Sequence, residues 1–306
     1  MLSRSPLAIT VPSAVVLLLV SAQVSWVEGA ALCVSTRSHV VRLRETCKRS
    51  ESSLPISIEN SGRTVQIAGA NLQIVSGAGS TDAPPNGLGN LIIGYNEATA
   101  GQTRTGVAGL VAGFFNTISG SGATVTGGFD NIASGEQASV SGGESNRATG
   151  IQSSVSGGAL STASGTFASV SGGSGNGASS KYASVCGGSG NAAHGVAASV
   201  TGGFSNIASA DYASISGGNY NEASGIASSV GGGEFNVASG EQSSVMGGGD
   251  NSASDLRASI TGGFRNTASA AEASVSGGSN VTESSVLGWS AGSTGAALGP
   301  KAFFSH

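Results

Sequence analysis

From Ala123 the chain alternates small apolar and hydroxyl residues in a four-residue beat, Ala-Ser-Val-Ser, followed by Gly-Gly. The beat returns every fifteen residues as far as Glu272 without an insertion. With Ala123 as position 1, position 3 holds Val125, Val140, Val155, Val170, Val185, Val200, Ile215, Val230, Val245, Ile260 and Val275. Alternation places positions 1 and 3 on one face of a strand and 2 and 4 on the other, so Val is the predicted core residue and Ser faces outward. The Gly pair at positions 5 and 6 predicts a corner with φ > 0. The later Gly at position 13 (Gly135, Gly150, Gly165, Gly195, Gly225, Gly240) predicts a second, less strict one, because Ser180, Ala210, Asp255 and Ala270 replace it elsewhere. The unit is too short for a helix pair, and its Gly and Val oppose helix. The predicted fold is therefore all-β, a β-solenoid (β-roll) of 15-residue coils.

Position 9 is Asn at Asn131, Asn146, Asn176, Asn191, Asn206, Asn221, Asn236, Asn251 and Asn266, with Ser161 the one substitute. In stacked coils these amides lie about 4.8 Å apart, close enough for hydrogen bonds along the column; the alternative is that each Asn caps a turn in solvent. One Val and two Ala per coil make a thin core, which points to added burial from partner chains.

The stretch Ser-Val-x-x-Gly-x-x-Asn-x-Ala-x-Gly resembles the short repeats of YadA-like head domains of trimeric autotransporter adhesins, over about residues 90 to 288. That resemblance implies a left-handed β-roll, a homotrimer and binding at a cell surface. The family's usual unit is one residue shorter and carries an aliphatic residue where this chain has the first Gly of its pair. Asn90-Leu91-Ile92-Ile93-Gly94 and Ser285-Val286-Leu287-Gly288 are nearer the family form. No heptad stalk or membrane-barrel segment follows the repeats, so the expectation is of a free or differently tethered head.

Five segments are expected. Residues 1–29, with Arg4 and the apolar run from Val15 to Val20, read as a secretory signal rather than a lasting membrane anchor. In 30–70, Cys33 and Cys47 are expected to form a local disulfide, with metal binding the weaker rival. Residues 71–122 bring entry strands and first coils, in which Leu110 aligns with Val125 and Asn116 with Asn131. The solenoid proper covers 123–288, and 289–306 is a C-terminal cap or disordered tail.

Charged residues are 10% of the chain and the net charge is −4, so no basic stripe is available for nucleic acid or anionic membrane. His39, His194 and His306 fall in no catalytic or metal-ligand pattern, the carboxylates are scattered, and Cys186 replaces a Ser at position 4. No catalytic residue, cofactor or metal is therefore nominated. Asn280-Val281-Thr282 is a sequon that counts for little by itself.

Variation concentrates at positions 7, 8, 14 and 15, where Phe129, Phe204, Phe264, Tyr220, Phe235, Phe167, Tyr182 and Tyr212 form two edges. Such aromatics either stack on sugars and anchor partners, or cover corners and an oligomer interface. The expected function is that of a secreted, extracellular or cell-surface, non-enzymatic adhesive or structural rod, binding glycan, matrix or cell surface. The alternative is an ice-binding protein using the outward Ser/Thr columns, weakened by Cys186, Gly231 and Met246 at position 4.

Overall fold

The computed structural model describes residues 31–35, 41–44, 46–49, 51–53, 56–59, 63–80, 84–94 and 103–292. The expected leader at 1–29 and the chain after 292 lie outside the described residues. Two compact units divide at Gln73 and Ile74.

In the first unit, Ala31–Ser35 is the centre of a three-stranded antiparallel sheet, with Val41–Arg44 and Glu51–Ser53 on its sides. Cys33 is buried and joined to Cys47 by a disulfide, which staples the central strand to the segment that follows Val41–Arg44. Ile56–Glu59 and Thr64–Ile67 pair as an antiparallel hairpin.

The second unit is a parallel β-solenoid. Positions 2 and 3 of each coil form two-residue strands such as Ser139–Val140, and positions 10 and 11 form others such as Arg147–Ala148. The first set builds a 14-stranded parallel sheet from Leu91–Ile93 to Trp289–Gly292; the second builds a 12-stranded one from Thr117–Ile118 to Thr282–Glu283. Single bridges at position 7, from Phe114 to Ser279, add a third ladder. Ser139 N–H donates to Ser153 O at 3.0 Å and Arg147 N–H to Ser161 O at 2.8 Å, so each strand donates forward to the next coil.

The alternation reads as predicted on the inner side. Position 3 is at most 2% exposed from Val111 to Val275, and Ala at positions 1 and 11 is equally hidden. These side chains close the bore within one chain, so no partner chain is required to cover them.

The corners differ from expectation. Position 13 does not take positive φ; where it is Gly the next coil approaches closely, since a Cβ at Gly150 would lie 2.1 Å from Gly165 O, while Ser180, Ala210, Asp255 and Ala270 are accommodated in other coils. The left-handed residues are Gly at position 6, such as Gly158 at φ 88°, together with positions 8 and 15, which are mostly not Gly; at position 5 positive φ occurs at Gly232 (155°) and Gly277 (140°) but not at Gly157. Leu160 has φ 56°, Phe167 60°, Tyr182 61° and Tyr212 60°. Residues at positions 8 and 15 donate backward: Ser145 N–H reaches Phe129 O at 2.9 Å and Gln152 N–H reaches Glu136 O at 2.8 Å. Coupling in both directions holds bulky residues in a backbone region they otherwise avoid, at roughly 1–3 kcal/mol of strain each.

The ends shorten. Val111, not Leu110, fills the core slot, because Val111 pairs with Val125 at a spacing of fourteen, one Gly fewer than the regular coil. At the other end the register from Gly278 to Gly292 is again fourteen, and the stack continues past the expected boundary to Gly292. Both ends thus keep a single corner Gly.

Candidate functional site

The Asn column is buried rather than solvated, and it is structural. Asn191 Nδ2 donates to Gly187 O of its own coil and to Gly203 O of the next, both at 2.9 Å, while its Oδ1 accepts from Asn206 N–H at 3.0 Å. The same pattern runs from Asn131 and Asn146 through Asn176, Asn221, Asn236 and Asn251 to Asn266. Direct amide-to-amide bonds occur only at Asn206, Asn221 and Asn251, so the column is a set of side-chain clamps on the glycine corner more than an amide ladder. At Ser161 the hydroxyl turns to Ala159 O, and no side-chain amide reaches Gly157 O or Gly173 O, although the Ala159 N–H still donates to Gly173 O at 2.9 Å.

The outward corners carry the variable chemistry. Position 7 places Phe129, Phe204 and Phe264 on one edge, beside Tyr220 and Phe235 at position 8. Tyr220 and Phe235 stack at 5.1 Å, and Phe204 meets Tyr220 edge-on at 5.2 Å. Arg265 lies 4.8 Å over Phe264. On the other edge, position 15 places Phe167 and Tyr182 in a stack at 5.2 Å with Lys181 over Tyr182, and Tyr212 stands two coils on. Phe167 and Tyr182 spend one face each on the other, while Tyr212 has no ring beside it.

Aromatic residues alone understate this second edge. Position 14 adds Ile151, Val196 and Ile226, and the run Ile151, Phe167, Tyr182, Val196, Tyr212, Ile226 is continuous over consecutive coils. Tyr212 is 64% exposed and Ile226 54%. Polar ladders bound the stripe: Gln152 Nε2 donates to Gln137 Oε1 at 2.6 Å on one side, and on the other Arg257 bridges Gln242 at 3.1 Å and Glu272 at 3.0 Å. The aliphatic members are legible in the sequence, because position 14 adjoins position 15 in every coil.

His194 is exposed with Nδ1 2.8 Å from Ser179 Oγ, and Cys186 is an exposed free thiol. Among the described residues, no three His, Cys, Asp or Glu gather in a way that could hold a metal, and no helix is long and apolar enough to cross a membrane. No family model and no curated protein matches this chain. The geometry alone therefore carries the functional reading.

Proposed function

We propose that this is a secreted, non-enzymatic, adhesin-like rod whose apolar edge from Ile151 to Ile226 contacts an extracellular glycan, matrix or cell surface. The observation that carries the reading is that edge itself: about 24 Å of aligned apolar side chains, all exposed but the half-buried Val196, with polar ladders at both ends. An apolar centre ringed by polar residues is the usual anatomy of a binding hot spot. Export is supported by the leader-like residues 1–29 and by a Cys33–Cys47 bond that persists in oxidising compartments. The test is binding of the wild type and of Tyr182→Ser and Tyr212→Ser variants to arrays of glycans and matrix proteins. Each substitution is expected to weaken binding at least tenfold while shifting stability by no more than about 0.5 kcal/mol. Undiminished binding by both variants, or none by the wild type, would refute it.

A second reading has one specific support. Position 2 is Ser in every coil from Ser139 to Ser274, an unbroken hydroxyl column on a parallel sheet, as ice recognition would require. Thermal hysteresis at micromolar protein is the result that would favour it over adhesion.

A further inference from the structure

The outer face of the 14-stranded sheet, separate from the apolar edge, carries no charged side chain at positions 1 to 6 of any coil from Ala123 to Gly278. All charges of these coils sit at positions 7, 8, 10 and 13 to 15. Among the hydroxyls of position 4 stand two neighbours of opposite shape. Met246 projects from the face, 68% exposed. One coil before it, Gly231 leaves a shallow pit of about 230 Å³ lined by Ser214, Ser216, Ser229 and Gly231, with Met246 on its rim. The pit is built into the backbone, because a Cβ at Gly231 would lie 2.4 Å from Met246 O.

A knob and a pit one coil apart on a single column are self-complementary under one operation. A two-fold axis in the plane of the face, crossing the column midway between them, lays a second chain antiparallel on the first. Met246 of each chain then sits over Gly231 of the other, and both contacts form at once. We propose that this face is the contact between two antiparallel copies of the chain. The same axis sets Ser216 opposite Thr261 and Thr201 opposite Ser276, hydroxyl against hydroxyl, where either group can donate or accept. No like charges meet. The contact rests on one knob and one pit from each chain, with hydroxyls beside them and no ion pair, so the dimer is reversible and concentration-dependent. It seats a flexible thioether, well suited to filling irregular gaps, away from water.

The test uses the full chain with Cys186→Ser, Ser216→Cys and Thr261→Cys. Within one chain the two new thiols are three coils apart, about 14 Å, beyond the reach of a disulfide. Across the axis they face each other. Mild oxidation is expected to give a covalent dimer on a non-reducing gel, and Met246→Lys in the same background is expected to abolish it. The pair Ser171→Cys and Thr201→Cys, which the axis does not oppose, is expected to stay monomeric. Sedimentation of the unmodified chain should show a monomer–dimer equilibrium that Met246→Lys weakens at least tenfold. A strict monomer at millimolar concentration, a trimer, a dimer indifferent to Met246→Lys, or ice adsorption by monomers through this face would overturn the proposal.

Discussion

At the scale of single residues, the glycine corner is held by what lies beneath it. Each Asn supplies two donors to carbonyls of two coils and one acceptor to a third backbone group, and its side chain is buried. Asn191→Ala strands Gly187 O and the Asn206 N–H, while Gly203 O keeps the Ser189 N–H, and is expected to cost on the order of 3 kcal/mol. Ser161 is the natural experiment in the opposite direction. Ser161→Asn restores donors to Gly157 O and Gly173 O and is expected to add about 1–2 kcal/mol. Thermal unfolding followed by circular dichroism checks both, with the melting temperature moving in opposite directions. The constancy of Asn was legible in the sequence; its partners were not, because two of its three bonds cross to other coils.

At the scale of the coil, the Gly pair divides its labour unequally. Gly158 has φ 88° and a Cβ there would lie 2.1 Å from Gly173 O, whereas nothing lies within 4 Å of a Cβ on Gly157. Gly157→Ala is therefore expected to leave unfolding within about 0.5 kcal/mol of wild type, while Gly158→Ala forces the corner apart and costs several kcal/mol. Paired melting curves suffice to compare them. The shorter coils at Val111–Val125 and Gly278–Gly292 agree, since they manage with one Gly. Period-two alternation made the strand at Ser139–Val140 readable, because burial dictates residue type there. The left-handed turns at positions 8 and 15 were hidden, because Leu160, Phe167 and Tyr212 are held there by backward hydrogen bonds and not by a local preference. The same limit applied to the candidate site: the aromatic edges were visible as columns, but the mutual stacking of Phe167 on Tyr182 depends on the spacing between coils.

Across the stack as a whole, stability is a sum of neighbour contacts, so the end coils matter most. In the last one Glu283 takes the position that Ala fills in every coil from Ala133 to Ala268, and its side chain is buried. Burial alone would raise its pKa; the Ser290 hydroxyl at 2.6 Å and the Ser285 and Ser284 segment outweigh that and hold the carboxyl below its ordinary value. A depressed pKa contributes stability that is full above the unfolded value near 4.5 and is lost as pH falls through the folded one. Acid is thus expected to loosen the C-terminal coils first. Hydrogen exchange at residues 282–292 between pH 6 and pH 3 reads this, and Glu283→Gln should flatten the profile.

The unbroken fifteen-residue register from Ala123 to Glu272 also bears on how such a molecule changes over time. Because each turn bonds only to the ones directly above and below, in-frame duplication or loss of one unit alters reach by about 4.8 Å and leaves every joint intact. Length is therefore inherited almost independently of chemistry, and a lineage can adjust how far the protein extends without redesigning any surface it presents.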